Sequence, residues 1–245
     1  MDIVLNGALG RMGTEVKKLA DASERYAIAA CVDVAGDGVG CLRGIDDYNG
    51  TADVIVDFSN HAGTKVLLAY AVRTNTPVVI ATTGHTDDEL EAIKEAAKTV
   101  AVFHSANMSL GVALLAELAV KTASVMPDAD IEIIETHHNR KLDAPSGTAL
   151  MLANAVKAVR EKAEFRLGRA GNAKREKTEI GIHAVRRGNI VGIHEVIVST
   201  DSQTITLKHE AHTRALFAEG ALSAAEFITG KPAGLYDMYS IVRGE

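Results

Sequence analysis

The residues best suited to chemistry lie in one polar run at positions 135–149, Glu-Thr-His-His-Asn-Arg-Lys-Leu-Asp-Ala-Pro-Ser-Gly-Thr-Ala. A histidine exchanges its proton near neutral pH, so His137 or His138 is a candidate general acid. The other histidine of the pair is then interpreted as a hydrogen-bonded structural residue. Lys141 adds a full positive charge close by in sequence. The run therefore predicts proton delivery beside a bound anion.

The second part of this run predicts the start of a helix, at Pro145-Ser146-Gly147-Thr148. Ser146 or Thr148 can cap the helix, and the backbone amides of Gly147 and Thr148 would then point at an anion. A cation and a helix N-terminus that meet at one place suit a substrate with carboxylates. We expect no metal at the paired histidines, because adjacent strand residues point to opposite faces and no Cys, Asp or Glu lies around them at metal-ligand spacing.

A second candidate site follows the first predicted strand. It is a glycine-rich turn that opens the first predicted helix and consists of Gly7, Ala8, Leu9, Gly10, Arg11, Met12 and Gly13. Such a turn lets the backbone approach a pyrophosphate at the positive end of the helix, although a tight packing turn is the alternative. Asp33 ends the second predicted strand, where a carboxylate would bind the adenosine ribose. Since Val34 rather than an arginine comes next, we expect NADH to be favoured, with NADPH left open through Arg11.

Three further strand ends carry turn residues, and ligands of an open parallel sheet lie outside such carboxyl ends. The first is Asp57-Phe58-Ser59. The other two supply the remaining predicted cofactor contacts, which are Ala81, Thr82, Thr83, Ser105, Ala106, Asn107 and Met108. Asn107 either contacts the nicotinamide or caps the next helix. Taken singly, each strand end is equally compatible with ordinary turn chemistry.

The elements that must position these residues change in pattern along the chain. Short apolar runs alternate with helix-period segments in the first half, which is typical of a parallel sheet. The second half has successive extended runs, which favour a mixed or antiparallel sheet. We predict an α/β protein with an N-terminal Rossmann dinucleotide-binding domain (residues 1–108 and 213–245) and an α+β C-terminal domain for substrate binding and oligomerisation (residues 109–212). The small second sheet needs a cover, so a homo-oligomer is expected.

Composition narrows the function classes. The 245 residues carry a formal net charge of −6, spread along the chain, which argues against a nucleic-acid partner. Two cysteines, Cys31 and Cys41, predict reduced thiols rather than a disulfide framework. Without a basic leader or a long apolar segment, the chain is expected to be cytoplasmic and to have no membrane partner.

Several segments together match the pattern of one known family: residues 7–13, 57–59, 82–84, 105–112, 135–149 and 234–238. On these segments the chain resembles the 4-hydroxy-tetrahydrodipicolinate reductases, formerly called dihydrodipicolinate reductases, of bacterial lysine and diaminopimelate synthesis. The resemblance implies a two-domain subunit, a homotetramer assembled through the C-terminal sheets, and NADH or NADPH as hydride donor. It also implies that His137 donates the proton and Lys141 assists, while His138, Gly147 and Thr148 bind substrate.

The chain departs from the family pattern at three positions. Ala81 stands where the family usually has the first glycine of Gly-Thr-Thr-Gly, Met108 replaces a phenylalanine, and Ile193 replaces a glutamate. Two other functions stay open: a different small-molecule dehydrogenase on the same plan, and a nucleotide-binding regulator that senses NADH without turnover. The histidine pair and Lys141 weigh against the regulator, because a sensor needs no proton donor.

Overall fold

The computed structural model describes residues 1–245 and divides into two compact units. The first unit comprises Met1–Leu110 and Ala215–Glu245, and the second comprises Gly111–Arg214. None of the helices combines the length and the apolar character that a membrane span needs.

A six-stranded sheet forms the centre of the first unit, in the order β11-β5-β4-β3-β1-β2, with every pair parallel. Its strands are β1 (Asp2–Asn6), β2 (Ala27–Val32), β3 (Val54–Asp57), β4 (Val78–Ile80), β5 (Ala101–His104) and β11 (Gly234–Tyr236). Its helices are α1 (Arg11–Asp21), α2 (Thr64–Thr74), α3 (Asp87–Ala96), α6 (Ala215–Ile228) and α7 (Met238–Arg243), with short 3₁₀ turns at Ile45–Asp47 and His61–Gly63.

Helices cover both faces of this sheet, which explains why its strands are continuous apolar runs. On one face Val4, Ile55 and Val78 pack with residues of α2 and α3 in one buried cluster. On the other face α6 packs against β3, β4 and β5, where the rings of Phe103 and Phe227 meet edge to face at 6.3 Å. α6 therefore belongs to the parallel-sheet unit, although it follows the second unit in the sequence.

A five-stranded mixed sheet forms the second unit, in the order β10-β9-β6-β8-β7. Its strands are β6 (Asp130–His137), β7 (Glu164–Leu167), β8 (Glu179–Arg186), β9 (Gly192–Ser199) and β10 (Thr204–Ala211), and its helices are α4 (Leu110–Val125) and α5 (Gly147–Lys157). The β6–β8 and β8–β7 pairs are parallel, whereas β6–β9 and β9–β10 are antiparallel. The predicted fold class, a parallel Rossmann-type sheet with a second mixed sheet, is confirmed.

Candidate active site

The glycine-rich turn of the first unit is held tightly against its neighbours. Gly7 has a φ of +77°, and a Cβ atom there would lie 2.5 Å from the carbonyl oxygen of Phe58. A Cβ at Gly13 would lie 2.2 Å from the carbonyl oxygen of Gly7. Both positions therefore require glycine. Gly10 is the N-cap of α1 and no side chain caps the helix there, so the first turn of α1 can receive an anion.

A cleft of about 650 Å³ lies beside this turn. Gly7, Gly10 and Asp33 line it, together with residues that follow β2 and β3. The Asp33 carboxylate accepts hydrogen bonds from the backbone amides of Leu9 and Ala35, each at 3.0 Å, which fixes it at the mouth of the turn. Of the other predicted contacts in the turn, Ala8 is buried. Leu9, Arg11 and Met12 do not line the cleft.

Asp57 links the carboxyl ends of three neighbouring strands. Its carboxylate is fully buried and accepts hydrogen bonds from Asn6 Nδ2 (2.8 Å), Ser59 Oγ (2.6 Å) and Thr82 Oγ1 (2.7 Å). Burial raises the pKa of Asp57, and the hydrogen bonds from Ser59, Thr82 and Asn6 oppose that rise. The predicted cofactor residue Thr82 is thereby tied to the end of β3, next to the cleft. The sequence pattern marked Asp57 as a turn residue but gave no sign of this linking role.

The two remaining predicted strand ends differ in exposure. Ala81 and Thr82 are buried, and Thr83 is exposed. In the next strand end, the side-chain oxygen of Asn107 accepts a hydrogen bond from the Ser109 amide at 2.9 Å, just before α4 begins. This contact is an Asx turn that leads into α4. Ser105 donates from its hydroxyl to the Asn107 carbonyl, Ala106 is exposed and Met108 is buried.

Three histidines that the sequence did not single out gather at this same edge of the sheet. The rings of His85 and His104 meet edge to face at 5.1 Å, and His61 lies 6.3 Å from His85. The Thr64 hydroxyl lies 3.0 Å from His85 Nε2, and Glu89 binds His61 Nδ1 at 2.9 Å. Burial lowers the pKa of both His85 and His104. Each histidine follows or ends a neighbouring parallel strand, which is the sequence signal that could have revealed the cluster.

In the second unit, sheet register brings the proton-donor candidate His137 into a network. Glu135 and His137 are two residues apart on β6 and therefore share a face. His137 pairs with Arg186 on β8, and Glu135 pairs with His194 on β9, so all four side chains project from that face. The fully buried Glu135 carboxylate contacts His137 Nδ1 at 2.5 Å and both terminal nitrogens of Arg186 at 2.8 Å.

The Glu135 carboxylate is the acceptor at the centre of this network. Burial alone would raise its pKa, but hydrogen bonds from Arg186, His137 and the Ser146 amide together lower it below the ordinary value. An ionised carboxylate only accepts hydrogen bonds, so the Nδ1 atom of His137 carries the proton. The Nε2 atom of His137 faces away from Glu135, and it lies 3.2 Å from the point where a Cβ of Gly192 would be. The missing side chain at Gly192 therefore leaves Nε2 uncovered on that side.

His194 joins the same network, although no local sequence pattern singles it out. Its ring meets that of His137 edge to face at 5.1 Å, and its Nε2 lies 3.2 Å from the Ser146 hydroxyl. Burial, followed by the charge of His137, lowers the pKa of His194 to about 4. A neutral imidazole therefore packs against the proton-donor candidate at physiological pH.

The second histidine of the pair, His138, lies among cations. Burial lowers its pKa first, and the nearby charges of Arg140, Arg214 and then His137 and Lys141 lower it further. Its Nδ1 atom is buried and has no hydrogen-bond partner in the protein. Lys141 Nζ pairs with Asp143 at 2.9 Å, and this bond lowers the pKa of Asp143. Excess positive charge beside an unpaired buried nitrogen is suited to an anionic ligand.

The start of α5 completes the predicted anion site. Ser146 is the N-cap and accepts a hydrogen bond from the Ala149 amide at 3.2 Å, which chooses Ser146 over Thr148 as the cap. Gly147 and Thr148 form the beginning of α5, and its first turn contains no acidic side chain. A Cβ at Gly147 would meet no atom within 4 Å, so open space adjoins the helix start. Since Ser146 also donates its amide to Glu135, the helix start adjoins the His137 network.

The structure thus brings the predicted residues into two groups, one in each unit. His137, His138, Lys141, Gly147 and Thr148 belong to the group in the second unit, where Glu135, His194 and Arg214 are additions that the sequence pattern did not assign. The group in the first unit consists of the glycine-rich turn, Asp33 and the strand ends joined through Asp57.

Comparison with known proteins gives one consistent result. The family model described as dihydrodipicolinate reductase, N-terminus, matches residues 1–108, and the model described as dihydrodipicolinate reductase, C-terminus, matches residues 111–242. The 4-hydroxy-tetrahydrodipicolinate reductase of Clostridium novyi is 43% identical over 99% of this chain and 98% of its own length. That of Caldanaerobacter subterraneus is also 43% identical, over 98% of each chain.

One solved structure agrees over the same length. The dihydrodipicolinate reductase from Paenisporosarcina sp. TG-14, with dipicolinate bound, superposes with a TM-score of 0.79 and 24% identity over 97% of both chains. At this level of identity the likeness shows a shared fold.

Proposed function

The chain belongs to the dihydrodipicolinate reductase family, and we propose that it reduces 4-hydroxy-tetrahydrodipicolinate to tetrahydrodipicolinate and water, using NADH or NADPH, in lysine and diaminopimelate biosynthesis. The observation that carries this proposal is the buried His137–Glu135–Arg186 network beside the cations around His138. It combines a proton donor with an anion site, which is what the reduction of an unsaturated dicarboxylate requires.

The first unit holds the dinucleotide in this proposal. The close approach at Gly7 and Gly13 leaves a cradle that any Cβ would fill, and the uncapped start of α1 adjoins it. We assign the pyrophosphate to residues 7–12 and the adenosine ribose to Asp33. The nicotinamide end is assigned to the strand ends at residues 81–83 and 105–108. When bound, the reduced nicotinamide supplies the hydride that is transferred to C4 of the substrate.

The second unit holds the two substrate carboxylates. Lys141, His138 and the amides of Gly147 and Thr148 are the groups assigned to them. Asp143, the present partner of Lys141, is exposed, and an exposed ion pair contributes little stability. A substrate carboxylate can therefore replace Asp143 at Lys141 with little loss.

The C4 hydroxyl group leaves as water together with a proton from a neighbouring ring carbon, which makes the ring unsaturated. His137 then delivers one proton to the carbon next to C4, and this proton balances the hydride added at C4. Because Glu135 holds the Nδ1 proton, the proton that is transferred comes from Nε2 of the doubly protonated ring. The carboxylate holds Nδ1 and so fixes the direction in which Nε2 points. Lys141 assists by holding the negative charge of the substrate near the imidazolium.

We also propose that the chain forms a homotetramer and acts in the cytoplasm. One edge of the second sheet, β10, is exposed or half-buried along its whole length, and Val185 and Ile205 are exposed apolar residues on this unit. These features support a homotetramer assembled through the second unit, because an uncovered sheet of this kind gains from a partner. Both cysteines are free thiols, which supports a cytoplasmic location.

The test is the loss of reduced-nicotinamide absorbance with purified protein, freshly generated 4-hydroxy-tetrahydrodipicolinate, and NADH or NADPH in separate assays. We expect rapid loss, lowered about 10-fold to 100-fold in Lys141→Ala, because a hydrogen bond to a charged group contributes about 1.5–3 kcal/mol. Lys174→Ala, at an exposed position in the same unit, is the control and should retain wild-type turnover. Tight NADH binding without absorbance loss would instead favour a sensor or a different acid as substrate.

A further inference from the structure

Arg43 is the residue that carries a further inference, because backbone pairing places it next to Asp33. Leu42 forms a parallel bridge with Val32, the last residue of β2. The Asp33 amide donates to the Leu42 carbonyl at 2.8 Å, and the Leu42 amide donates to the Cys31 carbonyl at 2.8 Å. One residue further along both segments, Asp33 and Arg43 are therefore neighbours at the carboxyl end of β2, although they are ten positions apart in the sequence.

The contact between these two segments is close as well as paired. A Cβ at Gly36 would lie 2.4 Å from the carbonyl oxygen of Cys41 and 2.7 Å from that of Leu42. The turn that follows Asp33 therefore lies directly on the segment that leads into Arg43. Arg43 and Asp33 both line the cleft of about 650 Å³ beside the glycine-rich turn.

The Arg43 side chain is anchored at one atom and open at the others. Its Nε donates to the Gly36 carbonyl at 3.0 Å, within the turn that Asp33 begins. This is its one side-chain hydrogen bond, and no carboxylate forms a salt bridge with it. Its two terminal nitrogens thus project from a fixed stem at the edge of the cleft, with their donors available to a ligand.

The acidic groups nearby are already engaged. The Asp33 carboxylate accepts the amides of Leu9 and Ala35. Asp37 accepts the amides of Val39, Gly40 and Cys41 within its own loop, and these bonds hold its pKa below the ordinary value. Neither carboxylate pairs with Arg43, so its guanidinium keeps both terminal nitrogens available at this end of the cleft.

We propose that Arg43 binds the 2′-phosphate of NADPH, so that this chain uses NADPH as well as NADH although Val34 occupies the position that directly follows Asp33. Asp33 binds the free ribose hydroxyls of NADH, and Arg43 offers a charge-assisted, two-pronged contact to the phosphate that replaces one of those hydroxyls. The side chain of Val34 is 92% exposed and does not cover the guanidinium. This inference rests on the proposed dinucleotide-binding function of the first unit.

The test compares the binding of NADPH and NADH to the wild-type protein and to Arg43→Gln, by titration without the second substrate. We expect the affinity for NADPH to fall about tenfold, because losing a hydrogen bond to a charged group costs about 1.5 kcal/mol of binding free energy. The affinity for NADH should change by less than about twofold, because its adenosine carries no phosphate. Adenosine 2′-phosphate should lose affinity in parallel with NADPH, and the difference between the variants should shrink at high salt.

Arg25→Gln is the matched control, since Arg25 precedes β2 whereas Arg43 lies beyond its carboxyl end. It makes the same change in net charge and should leave both affinities as they are. If Arg43→Gln lost affinity for NADH and NADPH equally, the inference would be overturned. It would also be overturned if only Arg11→Gln lost affinity selectively for NADPH. If the wild-type protein bound neither nucleotide, the assignment of the cofactor site itself would be wrong. If it bound NADH normally and Arg43→Gln bound NADPH as well as the wild type does, only the role of Arg43 would be wrong.

Discussion

Replacing Glu135 by glutamine removes one charge from a site where every partner is a hydrogen-bond donor. Oε2 receives His137 Nδ1 and one nitrogen of Arg186, while Oε1 receives the Ser146 amide and the other nitrogen of Arg186. A glutamine has one accepting oxygen and one donating amide group. Whichever way it turns, its amide faces a nitrogen of Arg186, which can only donate, so at least one of these four hydrogen bonds becomes repulsive.

Two losses follow from this change, and they are measured separately. Removing one partner of a buried ion pair costs about 3–5 kcal/mol, so the free energy of unfolding in urea should fall by an amount of that order. General acid catalysis contributes about 10²–10⁴-fold to a rate. Because His137 loses the carboxylate that fixes its Nδ1 atom, we expect kcat to fall about 100-fold at saturating substrate, with the affinity for NADH unchanged.

A matched control lies on the same strand. Glu132 also pairs with an arginine and a histidine, since Oε1 contacts Arg175 at 3.0 Å and Oε2 contacts His183 at 2.7 Å. Its place in the alternation of β6 puts it on the opposite face from Glu135. Glu132→Gln should therefore lose stability and keep its kcat. If Glu135→Gln turned over at the wild-type rate, or if both variants lost kcat equally, Glu135 would have no specific role in positioning His137.

Three further outcomes are expected. Since the pKa of His194 is about 4 in the folded protein and about 6.5 when unfolded, the unfolded chain binds the proton first on acidification. Stability should fall by about 2 kcal/mol between about pH 7 and about pH 5, and urea unfolding of His194→Gln should show a smaller fall. Gly192→Ala places a Cβ 3.2 Å from His137 Nε2, so kcat should drop while NADH still binds, as titration would show. Gly7→Ala should abolish NADH binding, whereas Gly10→Ala, whose Cβ would lie 3.2 Å from the Gly7 carbonyl oxygen, should weaken it less; equal losses would contradict the cradle.

Local patterns were sufficient for much of the fold. The buried strands of the parallel sheet are continuous apolar runs, and the glycine-rich turn stands between one of them and a helix, so both could be predicted from neighbouring residues alone. The strands β7 and β11 were not predicted, because Glu-Phe-Arg-Leu and Gly-Leu-Tyr are not continuous apolar runs. β4 is just as short, but it consists only of Val and Ile. β7 also extends the parallel part of the second sheet, which the sequence described only as mixed or antiparallel.

Local patterns also marked some of the site residues but not those that other strands contribute. His137, His138 and Lys141 lie within one short run, so their types and spacing marked them. Arg186 lies 51 positions from Glu135, and His194 lies 48 positions from Ser146, so their contacts depend on the register of β6 with β8 and β9. Nothing in a local pattern sets that register, which is why the sequence marked the proton donor and missed the residues that hold it in place.

The two buried carboxylates show how partners, rather than burial, decide what such a group does. Asp57 and Glu135 are both fully buried, and each accepts several hydrogen bonds. The partners of Asp57 are neutral, and its pKa is raised because burial dominates. The partners of Glu135 include Arg186 and His137, and its pKa is lowered in spite of burial. Asp57 is thus suited to tying strand ends together around a cofactor, whereas the lowered pKa of Glu135 keeps a negative charge next to the Nδ1 atom of His137.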